Sequence, residues 1–122
     1  MSERILIVED EAIPALDLKH TLHAMGYEVV SWVTTGEQSI TDSERQPPDL
    51  ILMDIRLAGA MDGIEAARQL RLSHPGVPIV YITANNDPET IRRATDTAPA
   101  GFISKPFTQS MLREVMLKAL RQ

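Results

Sequence analysis

The chain has 122 residues, 43% apolar and 24% charged, which suits one globular domain that buries roughly two thirds of its unfolded surface without a metal or disulfide staple. Lys and Arg number 12 against 17 Asp and Glu, and the net charge of −5 argues against a grip on nucleic acid or an anionic membrane. The absence of cysteine removes thiolate metal sites, thiol nucleophiles and disulfides from consideration.

Arg4–Val8 reads as a short buried strand. Its apolar run is stopped by Glu9-Asp10-Glu11, too soon for a signal peptide or a membrane span, so a soluble cytoplasmic protein is expected. Ala15, Leu18, Leu22 and Met25 then recur as one helix face, with Pro14 tolerable only in the first turn and Gly26 as the stop. Glu28–Val33 reads as a second strand, with Trp32 packing on a sheet edge. Thr35–Gln46 reads as a helix whose one large apolar member is Ile40, ended by Pro47-Pro48. Leu50–Met53 is the clearest buried strand and runs straight into Asp54. Loop signals follow at Ala58-Gly59 and Asp62-Gly63. Ile64, Ala67 and Leu70 mark a third helix that closes near His74-Pro75-Gly76. Val77–Ile82 is the fourth strand, Glu89–Asp96 a short polar helix, Gly101–Ser104 the fifth strand, and Leu112, Val115, Met116, Ala119 and Leu120 a last helix. Strands alternating with helices mean a parallel sheet covered on both faces, in one domain over residues 1–122. At this length a signalling protein has no room for a second output domain.

In such a sheet, ligands bind beyond the carboxyl ends of the strands. Glu9 and Asp10 follow the first strand, Asp54 the third, Thr83 the fourth and Lys105-Pro106 the fifth. Three carboxylates placed together repel unless a cation sits among them. Oxygen donors without Cys or His suit Mg²⁺, which is commonly held by one or two carboxylates and a phosphate. A lysine supplies a point charge to phosphate oxygens and a threonine hydroxyl can donate to another. A carboxylate can itself be a nucleophile that forms an aspartyl phosphate, and Asp54, central among the others, is the natural acceptor.

The ordered segments ILIVEDE, PPDLILMDI, MDGIEAARQLR, PIVYITA and GFISKPF resemble a response-regulator receiver domain of two-component phosphorelay signalling, across nearly the whole chain. The resemblance implies a flavodoxin-like doubly wound (βα)5 fold, its five-stranded parallel sheet in the order 2-1-3-4-5. It implies that Asp54 accepts a phosphoryl group from a histidine kinase or histidine phosphotransfer protein. It further implies that Glu9, Asp10, Asp54 and the backbone carbonyl of Arg56 hold Mg²⁺, and that Thr83 and Lys105 contact the phosphoryl group. Phe102 falls at the family's switch aromatic, without the hydroxyl of a Tyr. The output is then a changed surface on the fourth helix, fifth strand and fifth helix. An unidentified downstream protein would read it, with the chain a monomer or a phosphorylation-dependent dimer.

The family often has a proline and one residue fewer after the acceptor than Arg56–Gly63 provides here, so the loop's path is open. Arg56 and Asn85, each two beyond an active-site residue, stand where the family tunes phosphoryl lifetime. A cis bond at Lys105-Pro106 is known in the family. His20 and His23 lack a third ligand and read as an exposed helix face, and His74 as a loop residue in solvent. Met111 and Met116 read as packing, and Arg92-Arg93 as a solvated face. The alternatives are an aspartyl-phosphate enzyme and a receiver-like interaction domain that is never phosphorylated. The first would place Asp-x-Asp after the first strand, where Glu9-Asp10 stands. A nucleotide module is disfavoured because the turn after the first strand is acidic and lacks glycine. The expectation is therefore a phospho-acceptor signalling domain, not an enzyme.

Overall fold

The computed structural model describes residues 2–84 and 86–121. Strands β1 (Arg4–Val8), β2 (Glu28–Val33), β3 (Leu50–Asp54), β4 (Ile79–Thr83) and β5 (Gly101–Ser104) alternate with helices α1 (Ala12–Ala24), α2 (Gly36–Arg45), α3 (Gly63–Ser73), α4 (Pro88–Thr95) and α5 (Gln109–Leu120). All strand pairs are parallel and the order is β2-β1-β3-β4-β5, the doubly wound arrangement expected.

The unbroken apolar runs are explained by burial on two faces. Side chains alternate across a strand. Ile5, Ile7, Leu50, Leu52, Val80 and Ile82 therefore pack with Leu18 and Leu22 of α1 and Leu112 and Met116 of α5. Leu6, Val8, Ile51, Met53, Ile79 and Tyr81 pack on the other face with Ile64, Ala67 and Leu70 of α3 and Ala94 of α4. The pairings are regular except between β1 and β2. There Ile5 faces Val29 but Leu6 faces Ser31, so Val30 is an extra residue in β2.

Pro14 lies in the first turn of α1, and Gly26 ends the helix region with φ +93°, a conformation that favours glycine. Thr35, expected inside α2, instead caps it, its hydroxyl accepting from the Gln38 N–H at 3.1 Å. The buried face of α2 is Gly36, Ser39, Asp42 and Ser43, while Ile40 is only half-buried. Small residues let the helix approach closely: the Gly36 position lies against Ala66 and Met61. β4 begins at Ile79, two residues later than the apolar run suggests. Val77 is taken up by a turn, its N–H donating to the His74 carbonyl at 3.2 Å, and Pro78 has no N–H. α4 begins at Pro88, capped by Asp87, which accepts from the Thr90 N–H at 3.1 Å.

Met116 is in the core as expected, but Met111 is 43% exposed. His74 is half-buried rather than in open solvent, with Nδ1 at 2.9 Å from the Ser73 hydroxyl. Arg92 is solvated and paired with Glu89, whereas Arg93 turns from α4 to the carboxylate of Asp62 at 3.3 Å. His20 and His23 are exposed on α1. Among the described residues, no helix is long and apolar enough to cross a membrane.

Candidate functional site

Parallel pairing brings the carboxyl ends of four strands to one edge. Val8 is level with Met53, Asp54 with Ile82, and Thr83 with Ser104. One residue beyond these positions stand Glu9 and Lys105. Asp54 is the last residue of β3 and Thr83 the last of β4. The geometry thus gathers Glu9, Asp10, Asp54, Arg56, Thr83 and Lys105 from segments far apart in the chain.

Glu9, Asp54 and Thr83 are buried, Asp10 and Arg56 are exposed, and Lys105 is half-buried. Carboxylate oxygens of Glu9, Asp10 and Asp54 lie within 4.8 Å of one another. The Lys105 ammonium donates to Asp54 Oδ2 at 2.9 Å and to Glu9 Oε1 at 3.1 Å. Burial pulls the pKa of that ammonium down, but the hydrogen bonds and charges of Asp54 and Glu9 outweigh it and raise the value above the usual 10.5. The remaining oxygens are held by backbone. Asp54 Oδ1 accepts from the Arg56 N–H at 3.1 Å, and Glu9 Oε2 from the Glu11 N–H at 3.2 Å. Asp10, Glu11, Asp54, Arg56, Thr83, Ala84 and Lys105 line an open recess of about 180 Å³.

This donor set suits a small hard cation. It is all oxygen, it carries three carboxylates, and one of them, Asp10, faces solvent. The single charge of Lys105, shared between Glu9 and Asp54, offsets one of the three and leaves the carboxylate cluster net negative.

The longer loop after Asp54 has a defined path. Ala58 bridges to Thr35 at the start of α2, Gly59 takes φ +92°, and Leu57 and Met61 pack against the core on the α3 side. Asp62 then caps α3, accepting from the Glu65 N–H at 2.8 Å. Gly63 N–H donates to the Ile55 carbonyl at 2.8 Å, and a Cβ on Gly63 would be driven into the Asp54 carbonyl. A glycine is therefore required where α3 begins against the end of β3. Asn85 lies outside the described residues. The Lys105–Pro106 peptide is cis.

Phe102 sits half-buried on β5 with its ring centroid 5.6 Å from that of Tyr81 on β4. Tyr81 is buried, its hydroxyl 2.7 Å from Thr97 Oγ1, which in turn donates to the Ala94 carbonyl at 2.7 Å. The aromatic pair therefore lies beneath the end of α4. The Arg71 guanidinium ties the segment after α4 to α3, donating to the carbonyls of Val77 at 2.6 Å and Thr97 at 3.2 Å.

Two of these residues escaped the sequence reading. Tyr81 is one apolar member of a buried run, and nothing in the run marks its hydroxyl partner sixteen residues on. Trp32, read as edge packing, donates its indole N–H to the Glu9 carbonyl at 2.7 Å. Only the register slip between β1 and β2, invisible in composition, places it there.

Residues 5–117 match the family described as "Response regulator receiver domain". The transcriptional regulatory protein PdtaR of Mycobacterium tuberculosis is 37% identical over 109 residues, 89% of this chain and 52% of that protein. The chain thus spans about half the length of that relative. The chemotaxis protein CheY of Thermotoga maritima is 30% identical over 97% of this chain and 98% of its own. Among solved structures, the receiver domain of the sensor histidine kinase PA1611 from Pseudomonas aeruginosa PAO1 superposes with a TM-score of 0.90. It is 30% identical over the full length of both chains, and that structure has a magnesium ion coordinated in its active-site cleft.

Proposed function

The chain belongs to the response regulator receiver domain family of two-component signalling, and from that membership we propose that Asp54 accepts a phosphoryl group in an Mg²⁺-dependent reaction. The observation that carries this reading is the placement of Asp54. Its carboxylate ends β3, buried, within 4.8 Å of those of Glu9 and Asp10 and 2.9 Å from the Lys105 ammonium.

The donor is a phosphohistidine on a kinase or phosphotransfer protein. A carboxylate oxygen of Asp54 forms the new O–P bond as the P–N bond to the donor imidazole breaks, its electron pair returning to the ring nitrogen. Glu9, Asp10, Asp54 and the Arg56 carbonyl would hold Mg²⁺, with Asp10 the most open of the side chains. The bound ion supplies charge neutralisation that brings the anionic phosphoryl group to an anionic acceptor. Lys105 starts as the counter-ion of Asp54 and Glu9, and redirects one of its hydrogen bonds to a phosphoryl oxygen. Thr83, buried at the end of β4, donates its hydroxyl to another.

Phosphorylation then acts as a population shift. The new partner for Thr83 draws the end of β4 inward, and Phe102 turns further onto Tyr81. α4, β5 and α5 carry the altered surface to a downstream protein. Several of the family's relatives are regulators, among them the phyllosphere-induced regulator PhyR of Methylorubrum extorquens.

Incubation with acetyl phosphate and Mg²⁺ should add one phosphoryl group, read by intact mass. Asp54→Ala should add none, and chelation should abolish the adduct. An unmodified native chain would favour an interaction domain that is never phosphorylated. An undiminished adduct in Asp54→Ala would move the acceptor elsewhere.

A further inference from the structure

The chain's single tryptophan is not part of the donor set, yet it touches that set more closely than packing requires. Every polar atom of Glu9 is held. Its N–H donates to the Val33 carbonyl at 3.0 Å, Oε1 accepts from Lys105, Oε2 accepts from the Glu11 N–H, and its carbonyl accepts the Trp32 indole N–H at 2.7 Å. Two of these four bonds come from the recess or the turn beside it, Lys105 and the Glu11 N–H. The other two come from β2 at the sheet edge, one from the Val33 backbone and one from the Trp32 side chain.

The reason Trp32 reaches Glu9 is local. An extra residue in a strand breaks the alternation of side chains and flips the residues that follow it to the opposite face. With Val30 as that residue, Trp32 lies level with Ile7 and Val33 with Val8. The indole then projects forward over the end of β1, where the chain turns from Glu9 into Asp10. It is 37% exposed, so an apolar edge residue of this size is not there to fill the core.

We infer that Trp32 is a positioning residue for the cation site: its indole N–H fixes the Glu9 carbonyl and so sets the path of the Glu9-Asp10 peptide and the spacing of the two carboxylates. This rests on the reading of Glu9, Asp10 and Asp54 as Mg²⁺ ligands. Groups that orient ligands in this way commonly matter for metal affinity although they never touch the ion.

The test is Mg²⁺ binding by calorimetry in three full-length chains: wild type, Trp32→Phe, and a chain whose indole is replaced by the isosteric benzothiophene. The last keeps ring size and shape but has no N–H. Both altered chains should bind Mg²⁺ about three- to tenfold more weakly. The benzothiophene chain should keep a thermal midpoint in chelator near wild type, and wild-type tryptophan emission should change with the calorimetric midpoint. A benzothiophene chain with wild-type Mg²⁺ affinity would overturn the inference and leave the ligand assignment standing. A wild-type chain that binds no Mg²⁺ would overturn both.

Discussion

α3 and α4 lie on the same face of the sheet, but they are attached to it differently. α3 buries Gly63, Ile64, Ala66, Ala67 and Leu70, and its first residue abuts the backbone at the end of β3. α4 buries Ala94 alone. Apart from that contact, α4 is tied down just past its end by the Thr97 hydroxyl on Tyr81 and the Arg71 guanidinium on the Thr97 carbonyl, and by the Arg93–Asp62 pair. The first helix is scaffold, fixing the loop that leaves Asp54. The second is held by a few polar contacts that a local change can exchange, which is what a switching element needs.

Truncating each helix separates the two most sharply. Leu70→Ala removes a fully buried side chain and should cost about 2–5 kcal/mol in denaturant unfolding. Ile91→Ala, half-buried on α4, should cost about 1 kcal/mol or less. Equal losses would mean that α4 is as much scaffold as α3.

Lys105→Ala tests the link between the recess and α4. The chain should still take up a phosphoryl group by intact mass, because Asp54 and the other acids remain. A partner that recognises the phosphorylated state should no longer distinguish it. Normal phosphorylation-dependent binding by this variant would remove Lys105 as the coupling group.

Tyr81→Phe deletes the hydroxyl that meets Thr97 and should cost about 1 kcal/mol. Burial is the main cause that lifts the Tyr81 phenol above its ordinary 10.0, and the Thr97 bond and nearby arginines only partly offset it. Ionising the phenol is therefore harder in the folded chain. Its contribution is complete below pH 10 and declines as pH rises towards the raised folded value, as does that of Lys105 from 10.5 upward. The variant should lose less stability than wild type between pH 9 and pH 11, roughly the range that spans these ordinary values.

Arg93→Ala should have the smallest effect. Both partners of the pair are more than a third exposed, so its loss should be within about 1 kcal/mol and should vanish at high salt. A larger loss would make the pair a true anchor of α4 and weaken the contrast with α3.

How much of this could be read from sequence depended on whether a residue acts through its neighbours in the chain or across it. Ile5–Val8 and Leu50–Met53 announce central strands because burial on two faces leaves no polar position. The acids and the lysine announce themselves because they end those strands, and the geometry places them together. α2 was harder, since the face it buries is Gly36, Ser39, Asp42 and Ser43 rather than an apolar stripe. Its length was read nearly correctly from the prolines that follow, but not Thr35 as its cap. Trp32 and Tyr81 could not be assigned from local pattern. One depends on a register slip between two strands and the other on a hydroxyl brought in by the segment after α4.

Under the proposed function, phosphorylation of Asp54 alters α4 and β5 while α3 and the inner strands stay fixed. Amide hydrogen exchange, followed by mass spectrometry with and without acetyl phosphate and Mg²⁺, tests it most directly. Exchange should change in Pro88–Thr95 and Gly101–Ser104, with Leu50–Asp54 and Gly63–Ser73 unchanged. A chain that carries the phosphoryl group yet shows no change in α4, or an equal change in α3, would contradict it.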